Sequence, residues 1–463
     1  MNEKLALNDD ILMKIEKPAR YIGNEVNAVV KDRDSIDVRF CMCFPDVYEI
    51  GMSHLGIQIL YGMLNSWDDV WCERVYSPWV DLDEIMRKEN IPLFALESQD
   101  PIKDFDFLGI TIQYEMCYTN ILQVLDLAGI PLLATERGED CPIVIGGGPC
   151  TYNPEPIADF FDIFYIGEGE TVYGDLIELY KIYKHSDMTR EEFLIKVSQI
   201  PGLYVPALYD VTYHEDGTIA SFGPKYEEVP KTILKQVVTD MSSAVYPEKP
   251  VVSYMKVTQD RVVLEIMRGC IRGCRFCQAG MIYRPTRPKD VNVLKHYAEA
   301  MLDNTGQEEI TFSSLSSSDY QSLPELTDCL IEKMDNNHVN ISLPSLRIDA
   351  FSLDVMQKIQ DIMNSLRQNP PAEFAGHKVV AVRDYKADTI KNLETGEVTP
   401  TGLPNSNVLY YELTNDAWVC VRPSGTEPKV KFYYGVKGTS LADADEKSAV
   451  MGKAVLDMVD SMM

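Results

Sequence analysis

Cys270, Cys274 and Cys277 lie close together in the stretch from Glu265 to Gly280, with the spacing C-x3-C-x2-C. Thiolates are the usual ligands of iron–sulfur clusters, and a 4Fe–4S cluster needs four of them to fill every iron. Three on one short loop leave one iron open, and an open position distinguishes a reactive metal centre from a structural one. A zinc site completed by Cys329 or a histidine is the competing chemistry. Zinc ligands usually come as repeated C-x2-C pairs, and this chain has no such repeat. The other cysteines, Cys41, Cys43, Cys72, Cys117, Cys141, Cys150, Cys329 and Cys420, are scattered, and the total of 11 is odd. That argues against a disulfide framework and for small buried residues. Cys41 and Cys43 alternate along an expected strand and so share a face.

The same stretch concentrates positive charge. Arg268, Arg272, Arg275, Arg284, Arg287 and Lys289 surround the triplet in a chain whose net charge is −28. Such an acidic surface repels polyanions, so general nucleic-acid binding is not expected away from this cluster. The cluster is either a solvated basic face or a site for an anionic cofactor or substrate.

A second candidate site lies far downstream, between Trp418 and Lys429. Arg422, Ser424 and Thr426 offer a guanidinium and two hydroxyls, and Gly425 lets backbone amides converge. That set suits a phosphate dianion; the plainer reading is a polar turn between strands.

The elements that must position these residues follow from hydrophobic pattern. At 463 residues, 45% hydrophobic and 25% charged, the chain is long enough for two to four domains. Strands are expected at 37–44, 70–75, 92–95, 107–113, 142–145 and 162–166, with helices at 53–64, 82–88 and 120–128. Glycines follow the last two strands: Gly146, Gly147 and Gly148, then Gly167 with Glu168. This alternation predicts a doubly wound parallel α/β sheet over 17–170, with ligands beyond the strand ends. Residues 171–259 read as a connector holding a helix at 175–183 and a small β element. From 260 to 360, strands at 261–267, 309–312 and 339–343 alternate with helices at 291–302 and 323–334, as in a partial β/α barrel. From 362 to 463 four strands and a final helix predict a compact α+β module. No apolar run is long enough to span a bilayer. Residues 1–17 mix acids and bases without a signal-peptide core, so a cytoplasmic protein is expected.

The cysteine loop, with its spacing, its preceding strand and Phe276 just before the third cysteine, resembles the radical SAM superfamily. That resemblance implies S-adenosylmethionine chelated to the open iron. Electron transfer into the sulfonium then yields a 5′-deoxyadenosyl radical, with a flavodoxin or ferredoxin as reductant. It implies that Phe276 lies near the adenine, that Ser313 and Ser314 contact the methionyl amino group, and that Arg347 reaches the carboxylate. Residues 17–360 as a whole resemble an uncharacterised radical SAM family with an N-terminal B12-binding-type domain. By that resemblance Gly146, Gly147, Gly148, Gly167 and Glu168 form a cobalamin loop. Histidine-ligating cobalamin domains use Asp-x-His-x-x-Gly, whereas His54 lies in a stretch without the aspartate, so cobalamin bound without a histidine ligand, or an unliganded fold, is expected. Residues 362–459 resemble the C-terminal domain of phosphoglucomutase and phosphomannomutase, which implies a phosphosugar ligand. The other mutase parts, a phosphorylatable serine, a magnesium loop and a sugar-reading loop, are not found, so mutase activity is not expected. The chain therefore reads as a fusion of two truncated halves, joined within Gln357 to Ile362. It is a radical SAM enzyme by motif, with a phosphohexomutase fragment or an inactive chimera as alternatives.

Overall fold

The computed structural model describes residues 7–334, 340–345, 353–423 and 430–460. Its contacts divide the chain into two units, Met1–Leu315 with Pro324–Ser342, and Ser316–Leu323 with Leu343–Met463.

The first unit is built on a six-stranded sheet of order β2-β1-β3-β4-β5-β6. Its strands are β1 (Val38–Phe44), β2 (Val70–Tyr76), β3 (Phe107–Thr111), β4 (Ile143–Gly147), β5 (Ile163–Tyr165) and β6 (Leu203–Tyr204). The first five are parallel, and β6 closes the edge antiparallel to β5. Strands covered on both faces favour apolar sequence; nearly all of β1 is buried, and all of β2, including its charged Glu73 and Arg74. Helices α1 (Leu55–Asn65), α2 (Val80–Glu89) and α3 (Tyr118–Ala128) make the crossovers. Asn90 and Gly129 end α2 and α3 in the left-handed conformation that favours asparagine and glycine.

Two features depart from the sequence pattern. Residues 92–95 form no strand. They belong to a tight loop in which the Ala95 amide donates to Asp100 and the Ile102 amide to Leu93. The core also continues past residue 170. Helices α4 (Tyr173–Lys184) and α5 (Arg190–Val197) bury Leu176, Ile177, Phe193 and Val197 against the sheet. Helix α5 was not anticipated, although Thr189 and Glu192 form a reciprocal capping box at its start. The small β element expected in the connector is a separate hairpin of β7 (Tyr209–Tyr213) and β8 (Ile219–Pro224).

A second, three-stranded parallel sheet follows in the same unit, with order β13-β12-β9. Strand β9 (Val262–Glu265) is succeeded by β10 (Met267–Arg268), the short helix α6 (Ala279–Ile282) and β11 (Arg287–Pro288), which pairs with β10. Then come α7 (Val291–Thr305), β12 (Glu309–Ser313), α8 (Leu323–Met334) and β13 (Asn340–Ser342). The single strand expected at 261–267 is thus two pieces, because at Ile266 the chain bonds to Ser313 on one side and Lys289 on the other.

The second unit has an antiparallel sheet of order β17-β16-β15-β18-β19-β20, with β14 paired to β15. These strands are β14 (Glu373–Phe374), β15 (His377–Asp384), β16 (Thr389–Asn392), β17 (Val398–Thr399), β18 (Leu409–Leu413), β19 (Trp418–Pro423) and β20 (Val430–Gly435). Helices α9 (Leu353–Gln368) and α10 (Leu441–Asp460) complete it. Helix α9 runs unbroken through the expected join and buries Ile362, Met363 and Leu366 among Leu409, Tyr411, Val419 and Val455. Met363 is fully buried, so Met363→Ala is expected to cost this unit about 2–5 kcal/mol. Hydrogen exchange in β18 and β19 under mild urea measures it; protection equal to the wild type would contradict the packing.

Candidate functional site

A cavity of about 390 Å³ opens at the carboxyl ends of the first sheet. Strand β1 contributes Met42, β3 contributes Gly109 to Thr111, and Gly147, Gly148, Tyr165 and Gly167 follow from β4 and β5. Its other wall is Glu265, Met267, Arg268 and Gly269, with Ser313 and Ser314 at the end of β12. The chain leaves β1 towards β2 on one side and β3 on the other, and such a topological switch is where open α/β sheets hold ligands. The volume lies within the range of small-molecule sites.

The cysteine loop rises from this wall, between β10 and α6. Cys270 is half-buried and Cys274 and Cys277 are exposed, and all the cysteines are free thiols. Among the described residues no three His, Cys, Asp or Glu side chains converge as a ready-made metal site. In donor chemistry the loop nevertheless fits a three-thiolate centre, and binding would have to gather the thiols. Gly269 has φ +89°, and a Cβ there would collide with the carbonyls of Pro285 and Tyr283, so the residue before Cys270 must be glycine. Phe276 is 92% exposed and does not line the cavity, whereas Ser313 and Ser314 do. Arg347 lies outside the described residues. The buried pair Cys41 and Cys43 is unsuited to ligation, since burial raises both thiol pKa values and disfavours thiolates.

The basic cluster is not one solvated face. Arg272 and Arg275 are exposed, but Arg268, Arg287 and Lys289 are packed away. Arg287 lays Nη1 and Nη2 on the two oxygens of Glu168, each at 2.6 Å. Arg268 reaches Glu168 at 3.2 Å, Glu170 at 2.7 Å and Glu265 at 2.8 Å. Burial would raise the pKa of Glu168, but hydrogen bonds from Arg287 and the charge of Arg268 outweigh it and hold the carboxyl below its ordinary value. Lys289 sits with Nζ 3.8 Å from the Tyr246 ring centroid, and burial draws its pKa down to about 8. Sequence inspection missed these pairings. The only signal was the joint presence of acidic residues after β5 and basic ones around the cysteines.

The glycine-rich turns divide. Gly146 is within the buried part of β4, and a Cβ there would press on Phe164, while Gly147 and Gly148 face the cavity. Gly167 adopts φ +127° and a Cβ would strike the Gln236 backbone; its neighbours pair with that segment, Glu168 donating to the Gln236 carbonyl and Gln236 to Ile166. The Gly167–Glu168 turn therefore makes a protein contact as well as lining the cavity.

His54 lines the cavity and caps α1, where its Nδ1 accepts from the Ile57 amide at 3.2 Å. A neutral ring that accepts at Nδ1 carries its proton at Nε2 and has no lone pair left for a metal. His54 is therefore unsuited to cobalt ligation, and its ring is also hydrogen-bonded with the Gln113 side chain. Desolvation lowers its pKa to about 4, below the ordinary value of about 6.5. The unfolded chain then takes up the proton first, so stability falls as pH drops from about 6.5 towards 4. ¹⁵N NMR is expected to show the Nε2–H tautomer at pH 7, and His54→Ala to cost about 1 kcal/mol through the lost cap; an Nδ1–H tautomer would contradict this geometry.

In the second unit Arg422 is exposed on β19. Ser424, Gly425 and Thr426 lie outside the described residues.

Comparison with known proteins finds three matching segments. Residues 56–206 match the model for radical SAM proteins, N-terminal, and residues 264–375 that for the radical SAM superfamily. Residues 363–451 match the phosphoglucomutase/phosphomannomutase C-terminal domain, overlapping the previous match on α9 and β14. An uncharacterized protein of Methanocaldococcus jannaschii is 28% identical over 68% of this chain and 56% of its own length. A phosphoglucomutase of Staphylococcus aureus is 36% identical over 21% of this chain and 18% of its own length. This chain thus spans about half of the archaeal protein and under a fifth of the mutase. Among solved structures, the radical S-adenosylmethionine methyltransferase TsrM of Kitasatospora setae, with cobalamin and a 4Fe–4S cluster bound, aligns with TM-score 0.40 and 11% identity, over 66% of this chain and 54% of that one. The first unit holds most of the residues that match the radical SAM models, and the second holds those that match the phosphohexomutase model together with the end of the radical SAM match. No helix among the described residues is long and apolar enough to cross a membrane.

Proposed function

We propose that the first unit is a radical SAM iron–sulfur protein, in which Cys270, Cys274 and Cys277 hold a 4Fe–4S cluster. The observation that carries this reading is the three-thiol loop, rising from the carboxyl end of a parallel sheet beside a ligand-sized cavity, within the segment that matches the superfamily. A bound cluster would supply one electron to S-adenosylmethionine at its open iron. The chain's own contribution is placement. Ser313 and Ser314 bring hydroxyls to the cavity wall, and Arg268 is committed to three glutamates rather than to a ligand. Arg347 and Phe276 are assigned the cofactor carboxylate and adenine. Exposed Arg272 and Arg275 give an acidic flavodoxin- or ferredoxin-type reductant a docking charge in an otherwise acidic protein. A corrinoid bound over Gly147, Gly148 and Gly167 would lack a ligand from His54.

The domains follow: a B12-binding-type domain at 17–170, a connector at 171–259, a partial barrel at 260–360 and a phosphohexomutase-type module at 362–463. That module would bind phosphosugar through Arg422, Ser424, Gly425 and Thr426 without turning it over. The test of the main reading is anaerobic reconstitution with iron and sulfide, then reduction with S-adenosylmethionine and assay of 5′-deoxyadenosine. A colourless protein holding zinc would overturn the reading.

A further inference from the structure

We propose that Glu168 is a positioning residue for the cysteine loop: its carboxylate, fixed beyond the end of β5, gathers both stems of that loop through Arg268 and Arg287. The nature of what the cysteines hold rests on the radical SAM reading above. The clamp belongs to the protein alone.

One carboxylate receives three hydrogen bonds and an ion pair. Arg287 supplies two bonds at 2.6 Å each and the Val238 amide a third at 2.7 Å, while Arg268 pairs with it at 3.2 Å. Arg268 stands two residues before Cys270, and Arg287 follows α6, so the loop's entry and exit converge on a single anion. Further ties hold the exit stem. Lys235 Nζ donates to the carbonyls of Ile282 and Arg284 at 3.0 and 2.6 Å, and the Tyr152 hydroxyl to Ile282 at 3.3 Å. Arg287 also donates to the carbonyls of Pro285 and Tyr283, at 2.9 and 3.2 Å. Between the stems the thiols of Cys274 and Cys277 stand in solvent. Closing three thiolates on one centre costs chain entropy, and that cost falls when the loop's ends are already fixed. Bidentate guanidinium–carboxylate pairing fixes orientation as well as distance. Glu168 thus acts on the metal centre through the arginines, its own oxygens being taken.

Glu168→Gln places an amide donor against a guanidinium and breaks the fork. In the metal-free full-length protein, hydrogen exchange over residues 266–288 is expected to accelerate by about tenfold or more, because local opening is no longer opposed, while β1 to β4 stay unchanged. After anaerobic reconstitution the variant is expected to hold less iron. The EPR signal of its reduced cluster should be broadened, and its response to added S-adenosylmethionine diminished. Glu170→Gln, which loses one bond to Arg268, should give a smaller change. Arg287→Lys, which keeps the charge but not the fork, should fall between. Wild-type exchange and an unaltered cluster signal in Glu168→Gln would overturn the clamp. Should that variant fail to fold, wild-type exchange in both Glu170→Gln and Arg287→Lys would overturn it equally. A wild-type protein that takes no cluster removes the radical SAM reading instead, and the exchange comparison alone then decides the clamp.

Discussion

Replacing Cys270, Cys274 or Cys277 singly by alanine is expected to take reconstituted iron from about four atoms per chain to background. Formation of 5′-deoxyadenosine should fall to that of a protein-free control. The effect is all-or-none because two thiolates leave two irons open to solvent, and such a cluster does not persist under chelator. The variants test ligation and not folding. Cys274 and Cys277 are exposed, and surface substitutions away from special features usually change stability by within about 0.5 kcal/mol. Cys329→Ala is the discriminating control, since a zinc site would draw its fourth ligand there or from a histidine. It should leave iron and cleavage untouched, as should Cys141→Ala. Full iron in any one of the three loop variants would show that the triplet is not the ligand set.

What the sequence disclosed about this site, and what it hid, divides along physical lines. The parallel sheet was legible because strands such as Ile143 to Ile145 are buried on both faces and read as apolar runs. The cysteine loop was legible because its spacing is local. Helix α5 was missed although its capping box lay in plain sight at Thr189 and Glu192, because a short helix carries a weak periodic signal. The partners of Arg287 could not be read. Glu168 is 119 residues away, and an ion pair between distant elements leaves no periodicity in either. For the same reason the sequence left open whether the basic cluster was a solvated face or an anion site, and it did not show that Glu168 of the Gly-Glu-Gly-Glu run pairs with Arg287 and Arg268. The antiparallel setting of β6 was hidden too, since two buried residues carry no direction.

Arg74→Met is expected to destabilise the first unit by about 3–5 kcal/mol, the cost of leaving buried charges without their partner. Arg74 is fully buried on β2, with Nη2 2.9 Å from Glu25 and Nε 2.6 Å from Glu97. Its amide donates to the second Glu97 oxygen at 2.7 Å and its Nη1 to the Met52 sulfur at 2.9 Å. Glu25 also accepts from the Tyr48 hydroxyl at 3.1 Å. The loop expected as a strand at 92–95 is bent so that Glu97 can meet this guanidinium, which explains why its local pattern misled. Burial already pushes the Glu97 carboxyl pKa upward. Without the arginine it rises further, above the unfolded value of about 4.3. The folded variant then binds more protons than its unfolded chain, so its stability is greatest in acid and is lost as pH rises through the folded pKa. The deficit against the wild type should therefore be larger at pH 7.5 than at pH 5.5 in urea denaturation. Adding Glu25→Gln and Glu97→Gln removes the stranded charges and should restore much of the loss, since the neutral trio no longer demands a counter-ion. A deficit below about 1 kcal/mol, or one equal at the two pH values, would mean that water or a rearranged side chain compensates the two carboxylates. Arg74 would then be filling space beside Tyr61 rather than balancing charge.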